Sequence, residues 1–568
     1  MDKEILDLSH ESNEPNLSPY LKYEVITLND QATAGNYSSG QCVFETVTLS
    51  NNGRWCDYNH NAYMTIPCVF VVTGRVTGAG ADIDWTANHI TDSDLLIGFK
   101  NSNINLINSI AIDYGNKQCV QATDHINQYL VFKQHELFSE EDEVLNGPTI
   151  GYAKDSSESY YFEDVAGRGL SNNMNSENVS SSVQTNNICN TGFKKRQEVF
   201  RRVNASNLGQ ENLLGANLDE IVNNLKTSGD NFVVNYTTHK VYYYNAIVRL
   251  KDLPVFNKTK LMKGANWRIT MTLNQCIFDV SKSNAGLMTF DQTSYNGKNT
   301  NFLMVSDNVK SVKMANSNTA GQSENYDVQG GAYTVPANST LTVSCSVGKC
   351  NFTKHAALNI TAHESNVQLH IPTVVLSPAE DSRLLAKSQE TVIYEEILMF
   401  TLLSKNGLFN DLVTNGVSNL KRMIICPVLS SASNRNIVPA NSPFCCEPSV
   451  CSPHLIQNFQ VRLANHNIYP NAINYSYESF LTELNGKYSM GHNLVKGLAG
   501  SRISLKDYIN NYGYIVVDLK RKPTPDESTP LSIQISGKVV SPKALDFYIF
   551  VEQEKSFTYN TATGQRLQ

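Results

Sequence analysis

Charge is scarce in this chain. Asp, Glu, Lys and Arg make up 17% of its 568 residues, and the balance is acidic, with a formal net charge of -7 at pH 7. Coating nucleic acid by neutralising phosphates needs the opposite balance, so sequence-specific or general gripping of nucleic acid is not expected. Long apolar runs are missing too. None approaches the roughly 18 residues of a bilayer-crossing helix, so no transmembrane segment is expected. The opening MDKEILDLSHESNEPN is acidic and polar and lacks the basic-then-apolar order of a secretory signal. Synthesis in the cytosol follows as the expectation, and with it 12 cysteines that are reduced apolar side chains instead of a disulfide framework.

Enzyme signatures are absent as well: there is no Gly-x-Ser-x-Gly elbow, no His-Glu-x-x-His, no Walker loop and no calcium-loop spacing. Asp82 and Asp84 stand two apart and could share a strand face as a hydrolase's carboxylate pair, but chance accounts for so common a spacing. Cys445, Cys446, Cys451 and His454 crowd four soft ligands into ten residues, yet an adjacent cysteine pair and two prolines fit no common zinc spacing. Lys194, Lys195, Arg196, Arg201 and Arg202 form a short basic run, read as a solvated face or an inter-subunit salt-bridge strip. Glu140 to Glu143 after Ser139 reads as a capped, solvated helix start. No catalytic, cofactor-binding or metal-ligating residue is assigned, and the expectation is a protein without enzymatic activity or cofactor.

What the chain does have is 27 Tyr, 22 Phe and abundant Asn, Ser and Gly, a composition for pleated, half-buried surfaces joined by turns. Period-2 alternation dominates. Ile104, Leu106, Ile110, Ile112 and Tyr114 share one face, and Gly115-Asn116 then predicts a tight hairpin into Gln118–Val120. Trp267, Ile269, Met271 and Leu273 alternate with polar neighbours, as do runs near 341–347, 367–371, 459–463, 514–519, 531–536 and 545–551. Tyr477, Phe480, Leu481 and Leu484 give a short helical stripe. The strands are too many for one sandwich. They divide into blocks expected at 36–280 and 281–568, after a polar arm over 1–35, with long loops near 154–192 and 284–332.

The segment Tyr512–Leu567, YGYIVVDLKRKPTPDESTPLSIQISGKVVSPKALDFYIFVEQEKSFTYNTATGQRL, resembles the C-terminus of major capsid proteins of polinton-like viruses, virophages and adintoviruses. Upstream, Arg422–Ser430, Ser442–Phe444 and Asn458–Glu483 resemble the second jelly-roll of that family. Tyr242–Asn274, with an Arg-Leu-Lys-Asp link and a Lys-Gly turn, resembles the end of its first, and 102–145 its early hairpin and following helix. The resemblance implies an all-β double jelly-roll with short helices and long loop insertions. It further implies a homotrimeric, pseudo-hexameric capsomer tiling an icosahedral shell around double-stranded DNA, with neighbouring capsomers, pentons and minor or cement proteins as partners. A carbohydrate-binding or adhesive sandwich and a minor capsid (penton) protein are the competing readings.

Overall fold

The computed structural model describes residues 20–30, 37, 41–50, 53–76, 82–83, 95–155, 191–200, 232–235, 237–282, 288–291, 302–307, 312–315, 323–326, 339–350, 360–362, 366–429, 456–464, 466–485, 503–510, 512–521, 529–540 and 544–567. Strands dominate. The first group comprises β1 (Tyr20–Asn29), β2 (Cys42–Glu45), β3 (Tyr63–Val76), β4 (Ile107–Tyr114), β5 (Lys117–Thr123), β6 (His239–Arg249), β7 (Trp267–Leu273), β8 (Cys276–Lys282), β9 (Ser339–Val347) and β10 (Gln368–Leu376).

Their pairing makes two facing sheets. In a ten-stranded sheet, β6 pairs with β3, β3 with β9 and β9 with β8, while β10 joins the start of β3 and carries β1 along its other side. The opposing sheet runs β2-β7-β4-β5. Met64, Ile66, Phe70 and Val72 of β3 enter the same core as Phe44, Ile110, Ile112, Ile269 and Met271 of the opposing sheet. Each fully buried side chain of this size stabilises by roughly 1.5–3 kcal/mol relative to exposure. Val69 and Val71 point the other way and are also covered, by Val241, Cys350 and Ala362, which is why β3 reads as a continuous apolar run instead of alternating.

The predicted hairpin is present: Tyr114 pairs with Lys117, and Gly115 and Asn116 both take positive φ (57° and 63°), as a two-residue I′ turn requires. A second sandwich follows α4 (Pro378–Leu385), three earlier helices being α1 (Ile126–Leu137), α2 (Glu140–Leu145) and α3 (Thr191–Phe200), and α5 (Tyr477–Asn485) lying later. Its strands are β11 (Gln389–Lys405), β12 (Gly407–Val417), β13 (Leu420–Leu429), β14 (Ile456–Leu463), β15 (Ile515–Asp518), β16 (Leu531–Val539) and β17 (Leu545–Asn560). One sheet is β11-β17-β13-β15; in the other, β12 and β14 flank β16. The architecture is all-β, with short helices as decoration.

Two boundaries differ from expectation. The division expected at 280/281 falls inside β8, and β9 and β10 pair back into the first sandwich, so we place the division at 377–388, around α4. Alternation identifies a strand but not its partner: β8 pairs with the nearby Met288–Asp291 on one side, but β9, which joins it to the rest of the sheet, lies beyond a long polar insertion. The arm expected over 1–35 is likewise shortened: residues 20–29 form β1, an edge strand bonded to the whole of β10, with Ile26 and Leu28 packed against the core.

Candidate functional site at the seam between the sandwiches

α1 has no glycine or proline, and Ile126, Tyr129, Leu130, Val131 and Phe132 bury around its circumference, so it is a core helix and not an amphipathic one. It belongs to the first sandwich by sequence but packs into the second. Phe132 meets Tyr514 edge-on at 4.9 Å, Tyr129 approaches Phe550 at 5.9 Å, and His135 lies 4.4 Å from the ring of Tyr512.

A buried charge network fixes this contact. Arg422, in β13, clamps Glu136 of α1 through both terminal nitrogens (2.6 and 2.7 Å) and donates its Nε to Glu552 of β17 at 2.6 Å. Tyr129 donates its hydroxyl to the other oxygen of Glu552 at 2.7 Å, and Lys133 reaches Glu136 at 2.8 Å. Glu552 is fully buried and Arg422 is only 8% exposed. Burial alone would raise the Glu136 carboxyl, but the charges of Arg422 and Lys133 outweigh it and hold the group down to about 2. Burial, with the charge of Glu552 adding to it, pushes the Tyr129 phenol well above its usual value. Every partner in this geometry is paired with an opposite charge or a donor, the condition under which buried ions are tolerated.

Three further connections run along the seam. Glu396 of β11 accepts from the backbone N–H of Gln121 at 3.0 Å and pairs with Lys555 at 2.5 Å, while Thr123 donates to the carbonyl of Ile397 at 2.9 Å. Lys154 pairs with Asp507 at 2.5 Å, and Asp155 meets the Tyr512 hydroxyl at 3.3 Å. At the end of the seam, the C-terminal turn lies backbone to backbone on the turn before β7. Gly264 and Gly564 have φ of 68° and 66°, and a Cβ on Gly264 would stand 2.4 Å from the Thr563 carbonyl oxygen. Tyr114 donates its hydroxyl to the Gly564 carbonyl at 2.5 Å, and Phe557 inserts between Tyr114 (4.9 Å) and Trp267 (5.9 Å).

The segments singled out by resemblance therefore meet here: Arg422, the Lys263-Gly264 turn, the helix after the hairpin and the terminal turn. Within the Arg-Leu-Lys-Asp link, Arg249 and Asp252 form a two-point ion pair at 2.9 and 3.0 Å. Of the two members of the basic run whose side chains are described, Lys195 is exposed, as a solvated face requires, but Arg196 is not. Arg196 is 2% exposed and donates to Asp155 (2.6 Å) and to the carbonyls of Phe99 (2.7 Å) and Ala153, and Lys195 reaches Glu143 at 2.8 Å. The side chains of Lys194, Arg201 and Arg202 lie outside the described residues. Ser139 caps α2 in a reciprocal box with Asp142, as the sequence implies, but Glu143 is buried.

Asp82 pairs with Arg75 at 2.9 Å, and Asp84 lies outside the described residues, as do Cys445, Cys446, Cys451 and His454. Among the described residues, no group of three or more His, Cys, Asp or Glu is placed to hold a metal ion, and no helix is long and apolar enough to cross a membrane. Eight cysteines are described, all buried. Sequence reasoning missed Glu136, Arg422 and Glu552. The available signal was a charge abutting an apolar strand run, in KRMIIC and IFVEQE.

No family model and no curated protein matches the sequence. Solved structures do. A chain of the Sputnik virophage, from electron cryo-microscopy, aligns with a TM-score of 0.50 at 11% identity over 99% of this chain and 91% of that one. The crystal structure of the mavirus major capsid protein aligns at 0.42, with 9% identity over 98% and 91% of the two chains. The Faustovirus major capsid protein aligns at 0.40, with 8% identity over 97% and 94%. The Sputnik alignment, together with the two sandwiches described above, establishes a double jelly-roll fold.

Proposed function

We propose that this chain is a major capsid protein, the building block of an icosahedral virus shell around double-stranded DNA. The observation that carries the reading is the seam: two sandwiches in one chain, locked by buried ion pairs and backbone contact, in a fold that aligns over nearly all of a virophage chain. A seam of this kind makes each subunit a rigid pair of similar walls. Three such subunits around a threefold axis present six walls, and a near-hexagonal outline tiles a flat facet. The acidic balance and low charge density fit a container that encloses its genome without binding it along the backbone.

In this reading the partners are two further copies in the trimer, neighbouring capsomers, pentons, and minor or cement proteins, and the location is the virion. Native mass spectrometry of the purified protein tests the first step. Three chains of 63.1 kDa per particle is the expected result; a stable monomer contradicts it.

A further inference from the structure

Two apolar edge strands stand open, one on each sandwich. On β1, Tyr20, Leu21, Tyr23 and Val25 are 48%, 69%, 51% and 45% exposed. Beside the turn joining β11 to β12, Leu403, Leu408 and Leu412 are 62%, 82% and 54% exposed. The alternation shows that neither patch is an accident of a flexible tip. On β1 the inward residues Ile26 and Leu28 pack on the core while Tyr23 and Val25 face out, and on β12 Phe409 and Val413 are buried while Leu408 and Leu412 face out. Among the described residues, β1 pairs only with β10 and β12 only with β16, so both strands leave one backbone edge unpaired.

Proteins ordinarily blunt such edges with charge, proline or a covering element. Here the charges carried on the two edge strands are matched within the chain, Lys22 with Glu24 at 2.9 Å and Lys405 with Asp411 at 2.7 Å, while the exposed Lys538 stands on the neighbouring strand at the border of the second patch. Neither edge strand therefore presents an unmatched charge of its own to an apolar partner. With an aromatic side chain offering about 150–250 Å², the half-exposed tyrosines with Leu21 and Val25 leave roughly 300–400 Å² of contiguous side-chain surface, and the three leucines a similar order. That is the size at which exposed apolar surface marks an interaction site. The two together supply roughly half of the 1,200–2,000 Å² that a standard interface buries.

The partner follows from symmetry. A twofold contact uses one patch against itself, whereas a closed ring of three joins two different patches, one from each neighbour. We propose that β1 of one subunit packs against the β11–β12 corner of a second copy of this chain, and that this heterologous contact, repeated three times, closes the trimer. The inference rests on the trimer proposed above and names the surfaces that make it. It alternates first and second sandwiches around the ring, so each subunit's exposed edges are covered by its two neighbours.

The test is the particle mass of charge variants. Tyr23→Lys and Leu408→Asp, made separately, are each expected to shift the equilibrium from trimer to monomer by at least roughly tenfold, with an unchanged melting temperature of the monomer core. Combined in one chain, they place Lys opposite Asp at every contact, and trimers are expected to return. Trimers that survive either single variant overturn the proposed surfaces while leaving the trimer itself standing, and failure of the combined variant to recover overturns the pairing of the two patches. A monomeric unmodified protein overturns both proposals. Should a variant fold poorly, amine cross-linking of the unmodified protein, with heavy- and light-isotope subunits co-assembled, tests the same contact. Lys22 flanks the first patch and Lys538, paired opposite Leu408, flanks the second. Inter-chain Lys22–Lys538 links support the contact, and links confined to single chains overturn it.

Discussion

Arg422 is the residue on which most of the seam's electrostatics converge, since it neutralises carboxylates from both sides at once. Removing it strands Glu136 and Glu552 in a dry environment, so Arg422→Leu is expected to lower stability by about 3–5 kcal/mol, measured by chemical denaturation at neutral pH. Glu136 adds a pH dependence whose sign is fixed. Its folded value of about 2 lies below the ordinary 4.5, so its contribution is present above pH 4.5 and is lost as pH falls towards 2. The loss amounts to about 3 kcal/mol. Denaturation midpoints across that window should fall for the native sequence and fall less for Glu136→Gln; equal slopes contradict the assignment. Thiol chemistry offers a third check. Eight of the 12 cysteines are described and all eight are buried, and burial pushes the thiols of Cys42, Cys56 and Cys276 up, that of Cys56 to about 11. No more than four thiols per chain should react with a disulfide reagent natively, and all 12 after unfolding. At this scale the sequence was poorly legible. A buried ion and a solvated one look alike until their partners, here more than a hundred residues apart along the chain, are brought together.

At the scale of elements, legibility depended on whether the signal was local. The Gly115-Asn116 hairpin, the α2 capping box and the α5 stripe are each encoded within a few residues, and each is present. α1 escaped the periodicity because it is buried all round, and strand pairing escaped it because β9, which joins β8 to the rest of its sheet, lies some sixty residues downstream. The Gly264/Gly564 approach combines both limits: each glycine reads locally as a turn, and only the fold shows the turns touching. Gly264→Ala must accept a left-handed φ and a Cβ 2.4 Å from a carbonyl oxygen, whereas Gly53, at φ 64° with nothing within 4 Å of its Cβ, faces only the first penalty. Gly53→Ala is expected to cost about 1 kcal/mol, and Gly264→Ala at least about 2 kcal/mol more. Comparable melting temperatures for the two would contradict the backbone contact.

For the whole molecule, the seam turns two sandwiches into one body, and the exposed apolar edges lie on opposite members of that pair. Truncation separates the roles of the N-terminal region: removing residues 1–19 leaves β1 intact and should spare trimers, whereas removing 1–30 deletes a strand bonded along all of β10 and should abolish them. The class of fold was legible in the sequence from composition, alternation and the C-terminal resemblance; the point at which one sandwich ends and the next begins was not. The most direct test of the account is an electron cryo-microscopy map of the purified particle. Six sandwiches around a threefold axis, first and second alternating, is the predicted result. A single subunit, or an assembly of any other symmetry, would contradict it.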